Sequence, residues 1–156
     1  MLKDCVMITE SPMPTIRSAL PSDEAAILAL ARKFATSFPV QPEGFSKSFA
    51  QILAVSHMHL AVAQSGDDII GYVLGTAHPT FYASGPVAWV EEIMVRDDFR
   101  RSGIGKQLME YFEVWAMAQN CRLVALATRR ATDFYQHIGY TESATYFRKL
   151  LPSFTS

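Results

Sequence analysis

Cysteine is scarce in this chain: Cys5 and Cys121 are the two among 156 residues. That scarcity excludes a disulfide framework and fits a reducing cytoplasm. No apolar run approaches the roughly 20 residues needed to span a bilayer, so no membrane association is expected. The opening "MLKDCVMITESPMP" lacks the uninterrupted apolar core of a signal peptide, and residues 1–14 read as a flexible leader. Neither sign of charge dominates, with 14 Lys and Arg against 15 Asp and Glu. A net charge of -1 argues against wholesale nucleic-acid binding. Internal repeats, low-complexity tracts and linkers are also missing. What is present is 49% hydrophobic and 19% charged residues, the composition of one soluble globular domain over residues 15–156.

The periodicity supplies an order of elements. "TIRSAL" (15–20) reads as a short strand, and "PSDEAAILALARKF" as a helix with proline, serine and acids at its start and Ile27, Leu30, Ala31 and Phe34 on one face. "SFPVQPEGF" is a proline-rich break, followed by a short helix from Phe45 to Leu53. "HLAVAQ" and "IIGYVLGTA" form a hairpin across "SGDD". "HPTFYASGP" is a loop, and "VAWVEEIMV" (87–95) the next strand. Beyond the charged connector "RDDFRRS", Ile104, Leu108, Phe112 and Trp115 recur at helical spacing. "RLVALAT" reads as a fully buried strand, "ATDFYQHIGY" as a short helix stopped at Gly139, and "TYFRKLL" (145–151) as a last strand. This order predicts an α/β (α+β) fold, one mixed sheet with helices on both faces and parallel pairing across the central helix.

The stretch "RRSGIGKQL" (100–108) opens that central helix. Gly103 and Gly105 allow close backbone approach, and a helix start points unpaired amides and a positive dipole end outward. Arg100, Arg101 and Lys106 add charge, and Arg96, Arg129 and Arg130 stand on neighbouring segments. Taken alone, the loop reads either as an anion site or as an ordinary helix start with solvated cations. A dinucleotide fingerprint fails because Leu108 occupies its third glycine position. A Walker loop fails because Arg100 stands at its first glycine and Gln107 follows Lys106. His57 and His59 would share a strand face, but without a third ligand they and His78 and His137 read as ordinary surface histidines, and no metal site is expected.

The segment "VEEIMVRDDFRRSGIGKQLMEYFE" resembles the acetyl-CoA-binding segment of the GNAT superfamily of N-acetyltransferases, with Arg100, Gly103 and Gly105 at its defined positions after an apolar strand. "ATDFYQHIGYTES" is similar to the family's late helix, matched by Ala131, Phe134, Tyr135, Gly139 and Tyr140. The resemblance extends over residues 15–150 or so. It implies a GNAT-like fold in which backbone amides of Arg101, Ser102, Gly103, Ile104, Gly105 and Lys106 hold the pyrophosphate of coenzyme A. It also implies that main-chain groups of Ile93, Met94 and Val95 pair with the pantetheine arm. One position departs from the pattern, since many members carry asparagine where this chain has Thr128, whose hydroxyl is the expected substitute contact.

The implied reaction is direct attack of a primary amine of a small molecule or peptide on the acetyl thioester. Glu91 is the expected general base and Glu92 the second candidate, adjacent in one strand and so pointing to opposite faces; two solvated carboxylates are the plain alternative. Tyr135 is the expected proton donor to the departing thiolate, or else a core aromatic. Phe81 and Tyr82 are candidate acceptor contacts, with "SFPVQPEGF" as a second candidate wall. A homodimer follows from the resemblance alone. The alternative function is a non-catalytic acyl-CoA-binding sensor or interaction module.

Overall fold

A computed structural model describes residues 13–35 and 37–152. Apart from Met13 and Pro14, the expected leader lies outside the described residues, as does Cys5. The chain divides into two compact units, Met1–Leu126 and Ala127–Ser156.

The first unit carries a five-stranded mixed sheet in the order β1-β2-β3-β4-β5, with β1 Thr15–Ser18, β2 Met58–Ser65, β3 Asp68–Thr80, β4 Gly85–Val95 and β5 Val124–Leu126. The first three pairings are antiparallel, and β4 pairs with β5 in parallel. The parallel pair is joined by helix α3, Ile104–Ala118, the crossover that the central periodic segment predicted. The hairpin turn falls at Gly66 and Asp67, where Gly66 adopts φ +59°.

Helices cover both faces of the sheet. On one face, α1 (Glu24–Phe34) and α2 (Pro42–Ala54) set Ile27, Leu30, Ala31 and Phe49 against Leu60, Val62, Tyr72 and Met94. On the other face lies α3, with Ile104, Leu108, Met109, Phe112 and Ala116 buried at helical spacing. Gly75 permits that contact. A β-carbon built there would lie 2.4 Å from the Phe112 ring. The start of α1 is tied to β1 by Asp23, which accepts two bonds from the Arg17 guanidinium (2.7 and 2.9 Å) and one from the Leu20 amide (2.8 Å).

Several expectations need correction. Helix α2 begins at Pro42 rather than Phe45, because proline at a first helical position lacks only an amide that would be unpaired anyway. β3 runs on through His78 and Pro79 to Thr80, so the predicted loop shrinks to a tip at residues 81–84. β5 is a half-buried strand of three residues rather than a fully buried one, since it is the outer strand of the sheet. Residues 145–151 form no strand: Tyr146, Phe147, Leu150 and Leu151 are exposed, and β-propensity without a ladder partner does not make a strand. His59 is not an ordinary surface residue. Its ring stacks on Trp115 at 4.9 Å and on Tyr111 at 5.7 Å, and its Nε2 is buried without a hydrogen-bond partner. Burial lowers its pKa.

Candidate active site

The site is organised by an irregularity in β4. Leu74 pairs with Glu92 and Gly75 with Val90, so Glu91 is an extra residue on the β4 side, a β-bulge. On the other edge of β4, pairing with β5 covers Ala88, Trp89 and Val90 and goes no further. Among the described residues, Glu91–Val95 have no strand neighbour on that edge. The Arg96 amide donates to the Ile70 carbonyl at 2.8 Å on the β3 side. Alternation therefore aims the main chain of Ile93 and Val95 toward the open edge, while the Met94 side chain is buried in the core.

The connector that follows has the backbone geometry of an anion-binding turn. Arg101 and Gly103 adopt φ +62° and +84°, the left-handed values that turn successive amides to one side. Gly103 caps α3, the Gln107 amide makes the first helical bond to its carbonyl at 3.1 Å, and no side chain caps the turn. The amides of Ile104, Gly105 and Lys106 are thus aimed out of a helix start with no acid in its first turn. Ser102 hydroxyl donates to the Phe99 carbonyl. Arg100 braces the loop through Asp97 (2.8 Å) and the Val95 carbonyl (3.3 Å), and Lys106 meets Glu110 at 3.6 Å.

The bulge also breaks the alternation assumed for the two glutamates. Trp89 pairs with Thr76 and Glu92 with Leu74, so Trp89 and Glu92 belong to one face. Glu92 accepts a hydrogen bond from the Tyr72 hydroxyl at 2.6 Å, and burial with the glutamate's charge drives the Tyr72 pKa strongly upward. The Glu91 carboxyl at the bulge has its pKa raised by partial desolvation and then by the charge of Glu92, against a hydrogen bond from Trp89 and the nearby His78. The charge of Glu92 therefore acts on the Glu91 carboxyl.

Glu92 and Tyr72 line a cavity of about 330 Å³ between α1, α2 and the sheet. Pro39, Val40, Gln41, Gly44 and Phe45 of the "SFPVQPEGF" segment form part of its wall. Phe81 and Tyr82 do not line it. They lie exposed at the hairpin tip, and at about 3.3 Å per residue the strand from Gly85 to Glu92 spans roughly 23 Å. Tyr72 and Leu74 gave no signal in the sequence because "IIGYVLG" is apolar on both faces. Gly75 inside an apolar strand segment was the available sign of a bulge.

The second unit holds α4, Thr132–His137, followed by Gly139 at φ +97°. Thr128 Oγ1 accepts from the amides of Ala131 (3.1 Å) and Arg130 (3.4 Å) ahead of that helix. Tyr135 is buried, its ring edge-on to Phe134 and Tyr140, and burial raises its pKa. No cluster of metal-ligating side chains occurs among the described residues, and no helix there is long and apolar enough to cross a membrane.

The family model described as "Acetyltransferase (GNAT) family" matches residues 25–140. The chain belongs to the GNAT acetyltransferase family. It is an N-acetyltransferase with acetyl-CoA as co-substrate. Over 106 residues it is 36% identical to an aminoglycoside N(6')-acetyltransferase type 1 of Acinetobacter genomosp. 13, covering 64% of this chain and 68% of that protein. The enzyme of the same name from Stenotrophomonas maltophilia is 29% identical over 150 residues, 86% of this chain and 92% of that one. Among solved structures, AAC(6')-Iy in complex with the bisubstrate analogue CoA-S-monomethyl-acetylneamine shares the fold at a TM-score of 0.76 and 22% identity, over 89% and 99% of the two chains. The open β4 edge and the free amides of α3 suit this GNAT chain to an extended arm ending in a pyrophosphate.

Proposed function

We propose that this acetyltransferase acylates the nitrogen of a small primary amine, with Glu91 as general base and Glu92 holding the incoming ammonium. The observation that carries this reading is the bulge at Glu91, next to the point where β4 loses its β5 neighbour, which sets the Glu91 carboxyl beside the charge of Glu92. The named aminoglycoside acetyltransferase relatives support a small-molecule acceptor and disfavour a non-catalytic sensor.

Acetyl-CoA, when bound, supplies a thioester whose C–S bond breaks as the C–N bond of the amide forms. Amides of Arg101 to Lys106 hold its pyrophosphate, and the main chain of Ile93 and Val95 its arm. The Arg100 side chain positions that loop. An alkylamine of pKa about 10.4 must lose a proton at a cost of roughly 4–5 kcal/mol at pH 7, and Glu91, with its pKa raised, is a stronger base than an ordinary carboxylate. By the family resemblance, Tyr135 supplies the proton that ends on the departing sulfur. Its burial keeps the phenol protonated. Thr128, whose hydroxyl braces the turn before α4, is assigned a lesser cofactor contact. A cytoplasmic location, where acetyl-CoA is made and used, and a homodimer complete the proposal.

Thiol release in the presence of an amine panel tests the assignment. Glu91→Gln and Tyr135→Phe are expected to lower kcat by about 10²- to 10⁴-fold with coenzyme A affinity retained. Full activity in both variants refutes these roles.

A further inference from the structure

The cavity beside Glu92 carries more information than its position. Its volume of about 330 Å³ lies at the small end of the range for ligand sites, about 300–1,000 Å³. Its wall is built largely from Phe34, Val40, Phe45, Phe49, Leu60 and Leu74. Phe45 and Phe49 stack at 5.9 Å and present ring surface from successive turns of α2. Among the described residues, Glu92 is the sole charged one in the lining, and its carboxylate is oriented by the Tyr72 hydroxyl.

A polycationic acceptor needs a carboxylate or water for every ammonium it carries, because a cation placed against apolar walls loses its hydration without compensation. This wall offers one such partner. Gln41 and Ser48 are the uncharged polar side chains of the lining besides Tyr72, and neither neutralises a cation, so a compact amine with a single ammonium and an apolar body matches the rest, its ring or alkyl chain against the aromatic wall and its nitrogen on Glu92. Resting on the acetyl-transfer reading above, we infer that the acceptor is a monoamine with an aromatic or aliphatic body. Polycationic aminosugars, the class for which the relatives are named, are a poor match to this cavity.

The test compares phenethylamine and n-hexylamine with neamine and spermidine, on the intact protein, by thiol release and by equilibrium binding without acetyl-CoA. Phenethylamine or hexylamine is expected to exceed neamine and spermidine at least tenfold in kcat/KM and to bind more tightly. Equal or higher kcat/KM for the polycations overturns the inference. If no amine releases thiol, the acetyl-transfer reading fails, and binding decides the pocket separately: tighter binding of the monoamines supports the inference, and absent or weaker binding overturns it. Val40→Asp, in the connection between α1 and α2, places a second carboxylate in the wall without touching the sheet. It is expected to lower monoamine binding at least tenfold and to narrow the gap to the polycations. An unchanged preference in a folded Val40→Asp protein overturns the inference as well.

Discussion

Replacing Gly75 with alanine tests how the sheet, α3 and the bulge are locked together. The new β-carbon would stand 2.4 Å from Phe112 Cε2 and Cζ and 2.6 Å from the Trp89 carbonyl oxygen. Carbon atoms in contact sit about 3.5–4.0 Å apart, so the shortfall exceeds about 1 Å. Phe112 is fully buried and cannot swing into solvent, and the other atom is main chain of β4, one residue before the Gly75 partner Val90. Overpacking of this kind costs about 1–3 kcal/mol, offset by about 0.4–1 kcal/mol because alanine restricts the unfolded chain. The midpoint of that difference, a net loss of about 1.3 kcal/mol, lowers Tm by about 3–5 °C in a domain of this size. Thermal unfolding followed by circular dichroism reads it. Combining the change with Phe112→Leu, which removes the two ring atoms, should cost less than the sum of the single changes by more than about 0.5 kcal/mol. Gly44→Ala, a helical position whose added β-carbon meets nothing within 4 Å, should instead raise stability by about 0.5 kcal/mol. A Gly75→Ala protein melting within about 1 °C of the parent, or strict additivity with Phe112→Leu, would show that the sheet and α3 are not locked at this contact.

Three further outcomes follow from the same geometry. Gly103→Ala forces a left-handed residue at φ +84° to carry a β-carbon, at about 1–2 kcal/mol, and should weaken coenzyme A binding measured by calorimetry while leaving Glu91 and Glu92 in place. The Arg17 guanidinium holds the Asp23 carboxyl below its ordinary value, so this pair's stabilisation is present above pH 3.8 or so and is lost as pH falls through the lower folded-state pKa. Asp23→Asn should abolish that acid-dependent loss and reduce stability at pH 7 by about 1–2 kcal/mol, discounted for the partly exposed arginine. His59 has a folded-state pKa below 6.5, so stability should decline as pH falls from about 6.5 toward that lower value while the unfolded chain takes up the proton first. In His59→Phe that decline should vanish from urea titrations run between pH 7 and 5.

Much of the glycine loop and the helix it opens was legible without a structure. Ile104, Leu108 and Phe112 repeat at helical spacing, and Gly103 and Gly105 mark the start of the helix they belong to; both signals are local. The same holds for Gly139 after α4 and for the turn at Gly66. The acceptor side was less legible. Alternation along "VAWVEEIMV" placed the two glutamates on opposite faces, but strand alternation holds only while each residue has one partner, and here the bulge inserts Glu91. Nor does "TYFRKLL" become a strand on propensity alone.

By itself, then, the amino-acid sequence determined the family, the glycine loop that opens α3 and the helices and hairpin whose signals lie within a few residues. Tertiary structure decided the cross-strand register, the open edge after Val90, the meeting of Glu92 with Tyr72 and the apolar cavity around them. Those depend on which residues distant in the chain are brought into contact, a matter of pairing and packing that no short stretch of sequence encodes.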